Sequence, residues 1–152
     1  MIEENMPFPP FKLIDSNGSP VTNENLKSSK TVIYFYPKDD TSGCTKEACE
    51  FRDALPSLHG ARVIGISPDD SKSHQKFISK YNLNFTLLTD ENHQLADALG
   101  IWVEKSLYGK KYMGVERTTY LLDENAIVRK IWRKVKPEGH AAEVQALLSS
   151  ER

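Results

Sequence analysis

Apolar positions along this chain follow two different periods. Thr31-Val-Ile-Tyr-Phe-Tyr36 and Arg62-Val-Ile-Gly-Ile-Ser67 are nearly continuous β-prone runs, as expected of strands covered on both faces of a sheet. Between them Ala48, Phe51, Leu55 and Leu58 recur at helical spacing. They predict a helix from about Ser42 with one buried face, which Pro56 should kink or end. A second helix is expected over Ser71 to Tyr81, with Ser71 or Asp70 as its cap. A short strand at Phe85-Thr-Leu-Leu follows, then a short helix from Asn92 to Leu99 that stops at Gly100. Near the start, prolines 7, 9 and 10 hold the backbone extended, and Phe11 to Leu13 and Pro20 to Thr22 flank a turn at Ser16-Asn17-Gly18, the pattern of a hairpin. Near the end, Thr118 to Leu122 and Ile127 to Val135 read as strands around the turn Asp123-Glu-Asn-Ala126, and Glu138 to Ser149 reads as a closing helix.

Strand, helix, strand, helix, strand, hairpin, helix is an α/β order. Right-handed crossovers place the two long strands side by side and parallel. The loop after the first of them then lies at the carboxyl edge of the sheet, where open α/β folds carry their sites. At 152 residues the chain reads as one domain, residues 1–152, able to bury a full core. A net charge of −1 gives no electrostatic case for nucleic acid or an anionic membrane. No apolar run approaches the roughly 20 residues of a membrane span. Met1-Ile-Glu-Glu-Asn-Met-Pro7 has neither the basic nor the apolar region of a secretory signal, so a cytoplasmic location is expected.

The chemistry concentrates in Pro37-Lys-Asp-Asp-Thr41-Ser-Gly-Cys44-Thr-Lys-Glu47-Ala-Cys49, which holds both cysteines of the chain. In a cytosolic setting such a pair points to catalysis, redox chemistry or metal binding rather than a structural bridge. Cys44 falls at the predicted start of a helix, where backbone N–H groups carry partial positive charge and stabilise a thiolate. Cys49 is near enough in sequence to meet it, but only after the backbone moves.

These residues resemble a known family. Pro37 followed by Thr41-x-x-Cys44-Thr45-x-Glu47 is similar to the active-site pattern of peroxiredoxins, and a second cysteine five residues on resembles the bacterioferritin comigratory protein (PrxQ) subgroup. Glu116-Arg117-Thr118-Thr119-Tyr120-Leu121-Leu122-Asp123 is similar to the second active-site segment of that family, which carries an arginine. The likeness runs from about Pro7 to Leu148. Ser42 departs from it, because many relatives have proline there. The resemblance implies a thioredoxin-like α/β fold: a central mixed sheet flanked by helices, with an N-terminal hairpin. It also implies a monomeric thiol peroxidase without cofactor or metal, acting on hydrogen peroxide and organic hydroperoxides, and reduced by thioredoxin or a similar dithiol.

On that footing each residue has an expected task. Cys44 attacks the peroxide and becomes a sulfenic acid, and Cys49 condenses with it to a disulfide. Arg117, the Thr41 hydroxyl and the N–H groups around Gly43 stabilise charge on the departing oxygen. Pro37 fixes the loop, Gly43 permits close approach, and Glu47 either pairs with Arg117 or is solvated. Two other functions compete: a redox sensor or redox-gated binding protein, and a thiol–disulfide oxidoreductase, which the absence of Cys-x-x-Cys disfavours. His59, His74, His93 and His140 lack zinc-site spacing. Trp102, Tyr108, Tyr112 and Met113 are expected to pack as a cover over the core. The basic run Lys130, Arg133, Lys134 and Lys136 beside Trp132 is expected on an exposed hairpin.

Overall fold

The two apolar periods mark out the strands of one mixed sheet and the helices that flank it. A computed structural model describes residues 2–151. Strands β1 (Lys12–Asp15) and β2 (Pro20–Thr22) form the expected N-terminal hairpin. Then β3 (Thr31–Phe35) leads to α1 (Ser42–Ala54), β4 (Arg62–Ser67) to α2 (Ser71–Tyr81), and β5 (Thr86–Thr89) to α3 (Gln94–Ala98). A hairpin of β6 (Trp102–Leu107) and β7 (Lys110–Val115) comes next, followed by β8 (Thr118–Leu122), β9 (Val128–Trp132) and α4 (His140–Ser150). The main sheet runs β2-β1-β5-β4-β3-β8-β9. Its centre, β3 with β4 and β4 with β5, is parallel, and its flanks are antiparallel.

Because side chains alternate across a strand, the sheet divides the interior in two. On one face Ile33, Phe35, Ile64, Ile66 and Leu88 pack with Leu95 and Leu99 from the α3 region and with Phe8 from the N-terminal segment. On the other Val32, Tyr34, Val63 and Leu87 meet Ala48 and Phe51 of α1, Phe77 of α2 and Val144 and Leu148 of α4. Tyr34 stacks on Phe51 with ring centroids 4.8 Å apart. It leans across β4 at Gly65, where a Cβ would come within 2.7 Å of Leu87 and 3.0 Å of the Tyr34 ring. Glycine is needed there for space.

Helix limits follow local chemistry. Pro56 lies in a single 3-10 turn immediately after α1 and stops it as expected. Asp70 is the cap of α2, its carboxylate accepting the Ser73 N–H at 2.8 Å.

Three expectations need correction. The stretch from Trp102 to Met113 is not a cover. It is the β6–β7 hairpin, a separate two-stranded sheet that leaves Tyr112 and Met113 exposed and Tyr108 96% exposed at its tip, while Trp102 alone packs against the core. The helix expected from Asn92 begins at Gln94, because Asn92 and His93 take left-handed φ values of 57° and 48°. The last strand stops at Trp132 rather than Val135, and Lys134 is left-handed at φ 50°.

Phe51 is the side chain through which α1 holds the sheet. Phe51→Ala is expected to cost about 3–5 kcal/mol, the usual range for emptying a buried aromatic site. A urea melt at neutral pH measures it, and a loss under 1 kcal/mol would show that α1 is anchored elsewhere.

Candidate active site

The chain leaves β3 at Tyr36, turns through half-buried Pro37, and enters α1 at Ser42. Thr41 occupies the N-cap position in extended conformation, as its place in the sequence suggests. Its hydroxyl does not cap the helix, however. It donates back to the Lys38 carbonyl at 3.1 Å and so closes the turn, leaving its lone pairs available to a ligand. Cys44 is the third residue of α1 and is fully buried, among the N–H groups that a helix start leaves unpaired.

Arg117 reaches this thiol from 73 residues downstream. The sheet explains the meeting. β8 pairs with β3 so that Thr118 lies opposite Phe35, which brings the residue before β8 to the edge where β3 gives way to the Cys44 loop. One guanidinium nitrogen, Nη2, donates to Cys44 Sγ at 3.1 Å, and the other, Nη1, donates to Glu47 Oε1 at 2.9 Å. Of the two readings of Glu47, the paired one holds. Gly43 lies under the same fork: a Cβ there would stand 3.0 Å from Arg117 Nη2 and 3.3 Å from the Pro137 ring. Its role is close approach, with Arg117 itself the neighbour that requires it.

Glu47 is 1% exposed at its side chain. Burial pushes its carboxyl up to about 7, against the opposing pull of the Arg117 guanidinium. Two acidic groups of one helix turn, Cys44 and Glu47, thus share a single cation.

Cys49 lies further along α1, half-buried, and both cysteines are free thiols. On an unbroken helix five residues advance about 7.5 Å and turn about 140°, which sets the two Cα atoms roughly 8.7 Å apart. A disulfide needs about 4.4–6.8 Å. The pair is therefore unbridged while α1 is intact.

Several neighbours of the site were not visible in the sequence reading. Asp39 and Asp40, two turn residues by type, tie the loop to α2: Asp40 accepts from Lys80 Nζ at 2.8 Å and from the Tyr81 hydroxyl at 2.7 Å, while Asp39 turns inward to buried His74. The segment after β9 straps the other side. The Val135 N–H donates to the Arg117 carbonyl at 3.0 Å and the Gly139 N–H to Glu50 of α1 at 2.9 Å. The adjacent acids in Lys38-Asp-Asp-Thr41 were the one available signal. Their partners on α2 lie 34 to 41 residues away, beyond any local pattern.

The pattern of the AhpC/TSA family matches residues 5–131. Peroxiredoxin Bcp of Bacillus subtilis is 46% identical over 144 residues, 93% of this chain and 92% of its own. Among solved structures, the bacterioferritin comigratory protein of Xanthomonas campestris, described in a study of its alkyl peroxide reduction, superposes with a TM-score of 0.86 at 40% identity, covering 93% of this chain and 91% of that one. A Xylella fastidiosa PrxQ variant gives a TM-score of 0.89 at 32% identity over 99% of both chains. The thioredoxin-like architecture expected from the sequence is the fold of these neighbours.

The Glu47 geometry sets a pH dependence. A carboxyl whose value is raised in the folded state stabilises the fold fully below its unfolded value, here 4.5, and loses that contribution as pH rises to about 7. Glu47→Gln keeps an acceptor for Arg117 and removes the titration. The variant should gain stability relative to the unmodified protein as pH rises through that window. Paired urea melts at pH 4.5 and pH 7.5 measure this, and a constant difference would mean that the fold leaves the Glu47 carboxyl at its ordinary value.

Proposed function

Since the chain belongs to the AhpC/TSA family, in its Bcp/peroxiredoxin Q branch of thiol-dependent peroxidases, we propose that Cys44 is its attacking thiol and Cys49 its resolving thiol. The observation that carries this reading is the Arg117 fork, which sets a fixed positive charge 3.1 Å from the sulfur.

The Cys44 thiolate attacks the terminal oxygen of a hydroperoxide, as the S–O bond forms and the O–O bond breaks. Cys44 leaves as a sulfenic acid and the second oxygen leaves as hydroxide or alkoxide, which takes a proton from water. Arg117 and the N–H groups at Gly43 and Cys44 receive the developing charge, while the Thr41 hydroxyl, its own proton held by the Lys38 carbonyl, accepts the O–H of the hydroperoxide and orients it. Pro37 holds the loop that presents them, and Glu47 holds the guanidinium in plane with the sulfur. The Cys49 thiol then displaces water from the sulfenic sulfur, forming an intramolecular disulfide. The first turns of α1 must unwind for this step. An external dithiol, thioredoxin or a protein like it, reduces the disulfide and lets the helix re-form. The Xanthomonas likeness supports alkyl hydroperoxides as substrates beside hydrogen peroxide. The protein works as a monomer, a single domain in the cytoplasm; among the described residues no helix is long and apolar enough to cross a membrane.

Cys44→Ser is expected to abolish peroxide consumption. Cys49→Ser should keep a single oxidation of Cys44, seen as a 16 Da mass gain ~ one oxygen, and lose thioredoxin-supported turnover. Amide exchange over residues 42–53 should rise when the disulfide forms. Normal turnover in Cys49→Ser would make that cysteine structural.

Arg117→Ala should slow peroxide attack by roughly 100-fold, as loss of one oxyanion donor does. Arg117→Lys should rescue only part, because a point charge lacks the fork that serves sulfur and carboxylate together. An unchanged rate of single-turnover oxidation in Arg117→Ala would remove this arginine from the reaction.

A further inference from the structure

Behind the Cys44 loop lies a buried polar cluster that the peroxide chemistry does not use. Asp39, two residues before Thr41, has a side chain only 4% exposed and His74 of α2 has none exposed. The Asp39 carboxylate accepts from the Tyr36 hydroxyl on Oδ1, and from the Ser73 hydroxyl at 2.8 Å and His74 Nδ1 at 2.7 Å on Oδ2. The other ring nitrogen of His74, Nε2, stands 3.1 Å from the Leu88 carbonyl on β5. Outside the cluster, the Asp39 N–H donates to Asp69 at 2.8 Å.

Counting protons fixes the state of this pair. A backbone carbonyl only accepts, so Nε2 carries a hydrogen. A lone pair on Nδ1 facing a carboxylate lone pair at 2.7 Å would be repulsive, so a proton also lies between Nδ1 and Oδ2. Whichever atom owns it, the pair is net neutral with every facing atom satisfied, which is the condition under which buried polar groups hold one geometry. The Tyr36 phenol remains a donor: burial, with help from Tyr34 and Asp39, drives it well above its ordinary value.

This cluster clamps the chain at one point of the turn that ends in the α1 N-terminus. Asp40, the next residue, is left-handed at φ 56°, and the Thr41 carbonyl then takes the first helical bond, from the Thr45 N–H at 2.8 Å. The direction of α1's first turn, and so the place of Cys44 beneath Arg117, follows from where Asp39 is held.

We propose that His74 is a positioning residue for the peroxide reaction: by fixing Asp39 from behind, it sets the loop that carries Cys44 to Arg117. The inference rests on Cys44 being the attacking thiol. It adds a residue of α2 that touches neither substrate nor the reacting sulfur.

Two replacements separate positioning from packing. In His74→Asn the side-chain amide lies near the place of Nδ1 and donates to Asp39. In His74→Gln it reaches the place of Nε2, serves Leu88, and leaves Asp39 without its donor. Single-turnover oxidation is measured by stopped flow under conditions where circular dichroism shows each variant folded, with the unmodified protein and Cys44→Ser as controls. His74→Gln should be slower by about tenfold or more, since small misplacements of reacting groups are costly, and His74→Asn should recover most of the rate. A residue that only packs lowers stability but leaves the rate per folded molecule unchanged, so equal rates in all three His74 forms would overturn the inference. Equal losses in Asn and Gln would overturn it too, because the bond to Asp39 would then not be what matters. Should either variant fail to fold, Ser73→Ala, which removes one donor from the same oxygen, is expected to slow oxidation without unfolding; an unchanged rate there would count against the clamp. Activity persisting in Cys44→Ser would instead defeat the assignment of the thiol, which is a different result from any His74 outcome.

Discussion

A single guanidinium shared between sulfur and carboxylate governs the arrangement of this molecule. Arg117 faces two acids from one helical turn, and only a planar donor set with two outward edges serves both at once. Everything nearby makes room for it. Gly43 has no side chain to block it, Val135 holds its backbone carbonyl, and the β3–β8 register delivers it to the right sheet edge. The burial that excludes water from this corner has a cost, visible in the carboxyl of Glu47 being pushed up despite its partner. The same burial makes the guanidinium's field strong where the sulfur sits, since less solvent screens it.

The site is a junction of segments far apart in the chain. Residues 37–47 supply the loop and helix start, Arg117 the cation, and the strap at 135–139 the roof. α2 stands behind them, gripping Asp39 and Asp40. These tethers have an asymmetry. Downstream of Cys44, α1 is fastened to the sheet through Phe51 and to the α4 start through Glu50. Upstream, Asp40 is left-handed at φ 56° between the Asp39 clamp and the thiol. Any opening of α1 that the proposed disulfide requires is thus bounded by the Asp39 clamp on one side and by the Glu50 and Phe51 tethers on the other.

How much of this was legible depends on whether the cause is local. The runs 31–36 and 62–67, the end of α1 at Pro56 and the Asp70 cap each depend on residues adjacent in sequence, and they stand where the pattern put them. The β6–β7 hairpin did not show itself because its strands are exposed and carry little alternation. Its turn uses left-handed Tyr108 and Gly109, a geometry for which Asn or Asp is the usual first residue. Cys44, Glu47 and Gly43 were singled out by type and spacing and Arg117 by its resemblance to a family segment, and the four converge. The role of Thr41 was half legible: its position is that of a cap, but its hydroxyl serves the loop instead. His74 and His140 look alike to a reader of sequence, two scattered histidines, yet each is buried with both ring nitrogens engaged, one with Asp39 and Leu88, the other with Glu143 and Thr119. Only tertiary pairing distinguishes such residues from surface ones.

The unequal burial of the two thiols has a practical consequence for anyone labelling this protein. Cys44 is fully buried, with Arg117 on its sulfur and Pro137 against the neighbouring Gly43, whereas Cys49 is open on one side. A bulky maleimide meets Cys49 first in the reduced fold, although Cys44 has the more electropositive surroundings. A reagent as small as iodoacetamide is less bound by that order. The ratio of modification at the two positions, read with probes of increasing size, is therefore a ruler for how far α1 has opened at any moment.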